Sequence, residues 1–158
     1  MANLQAGKPR PENDPYRILV LIQSEDHLTK IKTSCEVLGQ QVVSFTSLEK
    51  AFHFLETKDH VDVCIAEAFL EDESSFDFLK RMKRMPNHER VPVMLVAWEP
   101  GDVAKFCADS VASTSTVLGA YKFLIMPDFD VEQLIKEVQA ILPERRPPKR
   151  MEDPKASN

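Results

Sequence analysis

The stretch most suggestive of chemistry is VDVCIAEAFLED, Val61 to Asp72, which changes from an apolar, β-branched run into acid at Glu67, Glu71, Asp72 and Glu73. Its first half reads as a strand buried on both faces. A buried strand that delivers a carboxylate at its C-terminal end, just before a helix, is where open α/β sheets place their chemistry. What Glu67 can do therefore depends on its company. The four histidines, His27, His53, His60 and His88, are scattered, and none pairs with a second ligand at i,i+4, which argues against a metal site. Cys35, Cys64 and Cys107 are odd in number and outside any CxxC spacing, so they read as reduced thiols in or near the core, with no zinc or disulfide framework. The basic run Lys80-Arg81-Met82-Lys83-Arg84 alternates with apolar residues and reads as the outer face of an amphipathic helix, with contact to phosphate or an acidic partner as the alternative.

The elements that would position Glu67 follow from periodicity. Arg17 to Ile22 is a continuous apolar run, followed by Ser24 as N-cap and a helix with Leu28, Ile31, Cys35 and Leu38 inward, stopped by Gly39. Gln41 to Phe45 is a second strand. Thr46 to Glu49 reads as a capping box opening a helix that buries Leu48, Ala51, Phe52 and Leu55. After the strand at Val61, Ser74 or Ser75 caps a helix burying Phe78, Leu79 and Met82, which Pro86 ends. Val91 to Ala97 is a fourth strand, with Pro92 near its start. Gly101 to Leu118 divides: Val103, Phe106 and Cys107 have helical spacing, whereas Ser110 to Thr116 is poor in strong helix formers and fits a loop or a frayed turn. Tyr121 to Ile125 is the fifth strand, and Asp130 with Gln133 caps a last helix through Val131, Leu134, Ile135, Val138 and Leu142.

Five strands each followed by a helix, at about 25 residues per unit, are the signature of right-handed βαβ crossovers. The expected fold is α/β: a five-stranded parallel sheet of order 2-1-3-4-5 between two helical layers, since no GxGxxG follows the first strand. Residues 16 to 142 form this domain. The ends, 1 to 15 and 143 to 158, hold seven of the eleven prolines without apolar periodicity and read as disordered tails. The second tail has five basic against three acidic residues, a net +2, while residues 16 to 142 carry −7; it is a solvated tail or a docking patch for an acidic partner.

The whole chain, 158 residues with 43% hydrophobic and 28% charged residues, has the composition of one globular domain. A formal charge of −5 argues against a broad nucleic-acid footprint. No apolar run approaches the roughly 18 residues of a membrane span, and no secretory h-region opens the chain, so a cytoplasmic protein is expected.

Between Tyr16 and about Leu142 the sequence resembles the receiver domain of two-component response regulators, the CheY-like family. The resemblance rests on the opening RILVLI, on VDVCIAEAFLEDESSFDFL, on FLKRMKRMPNHERVPVMLVAWEP and on the closing GAYKFLIMP. It implies a phosphorelay module of two-component signalling, and it places the family's working positions one at a time. The metal-binding acids after strand one fall on Ile22 and Gln23, and the phospho-acceptor falls on Glu67. The hydroxyl ending strand four falls on Ala97. The lysine before the strand-five proline falls on Met126, with Pro127 retained, and the switch aromatic falls on Phe123.

Phosphoryl transfer to a carboxylate requires a metal and a lysine to neutralise oxygens held in line. Ile22, a neutral Gln23 amide and one carboxylate offer too little anionic oxygen to displace Mg²⁺ hydration, Met126 has no charge and Ala97 no donor. A shifted metal site through Glu25 or Asp26 is the remaining route. Glu67 is either a fixed mimic of the phosphorylated residue or an acid solvated or paired at a strand end. Trp98 either covers the crevice or contacts a partner.

In receivers the face formed by helix four, strand five and helix five binds dimers and effectors, which makes Trp98, Phe106, Tyr121 and Phe123 the candidate interface. The segment Glu99 to Leu118 is longer than its receiver counterpart, and the altered helix suggests a modified surface. The expected function is a stand-alone pseudo-receiver, not an enzyme, without cofactor, that binds another signalling protein (a histidine kinase, effector or scaffold) or a second copy of itself. It binds no nucleic acid and no membrane, and the tails are too short for an output domain. The competing readings are a receiver still phosphorylated through unusual geometry, or a flavodoxin-like domain with a small ligand in its crevice, for which the loop after strand one provides little phosphate cradle.

Overall fold

A computed structural model describes residues 15–57, 59–99 and 101–145, with side chains described to residue 142. The expected tails, and with them Arg146, Lys149 and Arg150, lie outside the described residues apart from residue 15 and the backbone of 143–145. The elements alternate as β1 (Arg17–Leu21), α1 (Glu25–Val37), β2 (Gln41–Phe45), α2 (Leu48–Leu55), β3 (Val63–Glu67), α3 (Ser75–Arg84), β4 (Val93–Trp98), α4 (Asp102–Val117), β5 (Lys122–Met126) and α5 (Val131–Arg145). All four strand pairings are parallel, in the order β2-β1-β3-β4-β5.

The three inner strands are apolar apart from Arg17 at the start of β1 and Glu67 at the end of β3, because both of their faces are covered. Leu19, Leu21, Cys64, Ala66, Val93 and Leu95 pack with Phe52, Leu55, Phe78 and Leu79 of α2 and α3. Ile18, Val20, Val63, Ile65, Met94 and Val96 point the other way, against Ile31 and Cys35 of α1 and Leu134 and Val138 of α5. Burial pushes the Cys35 thiol up to about 11, with Glu36 adding to the shift, and raises Cys64 further, so neither is a reactive thiolate. His88 is also buried, 1% exposed, with its Nε2 2.8 Å from the Leu55 carbonyl oxygen at the end of α2. No helix among the described residues is long and apolar enough to cross a membrane.

Ser24, Ser74 and Asp130 cap their helices as expected. Four details differ from the sequence reading. The cap of α2 is Ser47, one residue later than Thr46, and Glu49 returns no bond; instead the distant Glu73 carboxylate accepts the Leu48 N–H at 3.1 and 3.2 Å. Leu38 is 46% exposed because α1 ends before it, with Gly39 in the left-handed region at φ 80. Ser110 to Thr116 is helical. There Ser115 Oγ and Thr116 Oγ1 donate to the Ala112 carbonyl at 2.9 and 3.0 Å, so hydroxyls that often compete with a helix are absorbed by it. The basic run of α3 is not wholly solvated: the Arg81 guanidinium lies 3.8 Å from the Phe52 ring centroid, and Lys83 is half-buried, crossing Gly119 (φ 105), where a Cβ would stand 2.7 Å from its Cε.

Candidate functional site

The crevice lies at the C-terminal ends of β1 and β3, where the chain order reverses in the sheet. β3 carries Glu67 to this edge in register with Val96 of β4. Its Oε1 accepts the Gln23 N–H at 2.9 Å from the loop after β1. The Gln23 side chain then clasps the loop after β3: its Oε1 accepts the Glu71 N–H at 2.8 Å, and its Nε2 donates to the Glu71 carbonyl at 3.3 Å. A primary amide is the residue type for this task, since it presents one acceptor and one donor side by side. Two hydrogen bonds thus join the two loops, and a third ties the first loop to the end of β3. Asp72, next in the chain, is left-handed at φ 60, and Ser75 Oγ donates to the Ala68 carbonyl at 2.9 Å to fix the turn into α3.

Around this clasp the crevice is apolar. Ile22 is fully buried and its N–H is used by the Phe45 carbonyl at 3.1 Å; Ala97 and Met126 are buried as well. Trp98, paired with Met126 across the β4–β5 ladder, is half-buried. Its ring meets His27 edge-on at 4.8 Å and Phe129 edge-on at 5.3 Å, while His27 and Phe129 stack at 4.0 Å. His27 stands in the first turn of α1 and Phe129 in the loop before α5, so the three rings tie α1, β4 and the β5–α5 loop together.

Burial raises the Glu67 carboxyl above its ordinary value; the hydrogen bond from Gln23 works against that shift and the nearby Glu71 charge adds to it. No cation figures among these causes. Glu25 and Asp26 are exposed in the first turn of α1. The polar side chains at the crevice are one carboxylate, with one oxygen engaged, and one amide, with both ends engaged, and no group of three or more metal-ligating side chains occurs among the described residues.

Sequence reasoning placed Ile22, Gln23, Glu67, Ala97 and Met126, and the structure brings them to one edge of the sheet. Covering the crevice was one of two readings of Trp98, and its ring packing agrees with that one. Three participants were missed: His27, Phe129 and the Glu71 backbone. The signal for Phe129 was an aromatic two residues after Pro127 in a short loop, and none marked the Gln23 clasp.

A second feature lies on the side of the molecule at α4 and β5. α4 buries only Ser115 among its sixteen residues. Phe106 is 90% exposed, Val117 85% and Val103 77%, and Tyr121 and Ile125 on the edge strand are about half exposed, beside a half-buried Phe123. These exposed apolar side chains all belong to α4 and to β5 with the residue before it.

No protein-family profile matches the chain, and no curated protein matches it. Among solved structures, the beryllofluoride-activated NtrC4 receiver domain dimer aligns with a TM-score of 0.67 at 21% identity, over 82% of this chain and 98% of that one. The chemotaxis response regulator CheY4 of Vibrio cholerae aligns at 0.66 and 19%, over 81% and 99%. HP1043, an orphan response regulator of H. pylori, aligns at 0.65 and 16%, over 82% and 98%. The fold is that of a receiver domain. Nearly the full length of each of these receiver-fold chains is spanned.

Proposed function

We propose that this chain is a pseudo-receiver: a signalling module with the receiver fold that works by protein–protein contact, without Mg²⁺-dependent aspartyl phosphorylation. The supporting observation is the state of the crevice. The positions that resemble the receiver's metal, hydroxyl and lysine sites are Ile22, Gln23, Ala97 and Met126, and the Gln23 amide is already spent on Glu71. Glu67, at the phospho-acceptor position, has a backbone N–H for a partner and no ion pair with a cation among the described residues, which fits an acid paired with a neighbouring loop better than a mimic that biases a switch. The domain runs from about Tyr16 to Leu142, and its activity is binding rather than catalysis.

The surface for that binding is the α4–β5 side, with Phe106, Tyr121 and Phe123 as contacts; Trp98, packed inside the ring cluster, supports the surface without facing the partner. The partner is another signalling protein or a second copy of the chain. Sedimentation velocity and affinity capture from source lysate, run on wild type, Phe106→Glu and Glu67→Gln, test this. Loss of self-association or of the captured partner in Phe106→Glu, with both retained in Glu67→Gln, is expected. The reverse pattern would place function in the crevice and overturn the proposal.

A further inference from the structure

The end of the sheet opposite the crevice carries a third feature. Where β4 and β5 begin, a cleft of about 450 Å³ opens between Lys83 in the last turn of α3, Arg90 and Pro92 ahead of β4, Gly119 and Tyr121 ahead of β5, and Ile141 of α5. Its walls are fixed by backbone hydrogen bonds. The Val91 N–H donates to the carbonyl of the buried His88 at 3.1 Å, the Cys64 N–H donates to the Pro92 carbonyl at 2.9 Å, and the Tyr121 N–H donates to the Val93 carbonyl at 2.8 Å. Lys83 is placed as firmly. Its stem crosses Gly119, where φ 105 favours glycine and an added Cβ would stand 2.7 Å from the lysine Cε, and its Nζ donates to the Glu89 carbonyl at 3.2 Å.

The charge of this cleft is one-sided. No acidic side chain lines it among the described residues, and the exposed Arg90 guanidinium forms no ion pair among them. In a chain of formal charge −5 this is a local inversion. The cleft between α2 and α3 has the opposite character: Glu49, Glu56, Asp72 and Asp77 border it, and the Arg81 guanidinium lies over the Phe52 ring. Beside the two cations the wall is apolar, through Pro92, Ile141 and the ring of Tyr121. Tyr121 is 50% exposed and also belongs to the α4–β5 side, so the cleft and that surface are continuous. A guanidinium meets a carboxylate through two parallel N–H bonds, and an ammonium adds a point charge. Together these groups are complementary to a carboxylate side chain next to an apolar one.

We propose that the partner bound on the α4–β5 side is a protein with an acidic segment, in which a carboxylate docks on Arg90 and Lys83 while a neighbouring apolar side chain lies against Tyr121 and Pro92. The inference rests on the reading of α4–β5 as the binding side and specifies the chemistry of what binds there. The acids between α2 and α3 repel the same segment, so charge fixes the side of the domain on which it docks. Because Arg90 is exposed, the contact weakens as salt rises.

The test is amide NMR of the full chain titrated with a capped peptide of alternating Asp and Leu, with its Asn and Leu counterpart, and with inorganic phosphate. The acidic peptide should shift Arg90, Gly119, Ala120 and Tyr121 saturably, and the Asn peptide should bind about tenfold more weakly or worse. Arg90→Gln, or Lys83→Met, which keeps an unbranched stem over Gly119, should weaken the acidic peptide to a similar degree, about tenfold. Absence of saturable shifts at these residues, or equal binding by wild type and Arg90→Gln, would overturn the proposal. Phosphate giving the same shifts at equal affinity would also overturn it, in favour of a site for a free anion. Shifts at these residues on concentrating the chain alone would overturn it in favour of a second copy. The parent reading is tested separately: a partner lost in Phe106→Glu but held equally by wild type and Arg90→Gln sinks this inference and leaves the α4–β5 side as the binding face.

Discussion

The crevice edge and the α4–β5 side of this molecule are built in opposite ways. At the crevice the polar groups are tied to one another and the rings to theirs: Gln23 clasps Glu71, one oxygen of Glu67 accepts from Gln23, and three rings pack together from α1, β4 and the β5–α5 loop. At the α4–β5 side the largest side chains are left in solvent, and a sixteen-residue helix buries one serine. Apolar packing has been spent where a receiver is regulated and withheld where it would stabilise the isolated chain. On the proposed function, the first region is fixed internal structure and the second is the face left for a partner.

Removing the rings breaks the contrast most strongly. Trp98→Ala deletes two edge-on contacts and a half-buried side chain, and should cost about 2 to 4 kcal/mol in urea unfolding, with Trp98→Phe retaining part of it. A loss no larger than that of an exposed substitution would show that the rings do not close the crevice. Gln23→Ala removes both bonds to Glu71 where water can replace them, so a loss of about 1 kcal/mol is expected by the same measurement.

Glu67 gives a smaller effect with a definite sign. Its folded-state pKa is raised above the ordinary 4.5, first by burial and further by Glu71, so the folded chain holds this proton to higher pH than the unfolded chain does. Its contribution to stability therefore falls as pH rises from 4.5 through the raised value. Relative to wild type, Glu67→Gln should gain stability across that window and hold the gain above it, as read from urea midpoints between pH 4 and 7. A wild type that loses stability relative to the variant as pH falls would contradict the assignment. At the other region, Phe106→Ser should change stability by no more than about 0.5 kcal/mol, since the ring is 90% exposed. A larger loss would mean that α4 is packed more closely than the structure has it.

The sheet was legible because its inner strands are covered on both faces and must be apolar at consecutive positions: RILVL, VCIAE and VMLVAW stand out between polar segments. Glu67 followed from the strand end, and Ile22, Gln23, Ala97 and Met126 from the resemblance to receiver domains. What was not legible is what those residues do to each other. The Gln23–Glu71 clasp joins residues 48 apart, and the ring cluster draws on three separate elements. The cap of α2 was misplaced for a similar reason, because a carboxylate 25 residues away, Glu73, takes the bond that a local capping box would have made. In α4 local propensity pointed to a loop at Ser110 to Thr116, whereas hydroxyl bonds back to Ala112 accommodate the serines and threonines in a helix. Exposure of Phe106 had no local signal, since its helical spacing with Val103 would equally suit a buried stripe.

The central claim is that the crevice cannot be phosphorylated in the manner of a receiver. Titration of the labelled chain with Mg²⁺ and beryllofluoride, followed by amide NMR, tests it most directly. The closed crevice predicts spectra unchanged at Gln23, Glu67, Glu71 and Trp98. Saturable shifts confined to those residues would show that the clasp opens to admit a metal and a phosphoryl mimic, and would contradict the account.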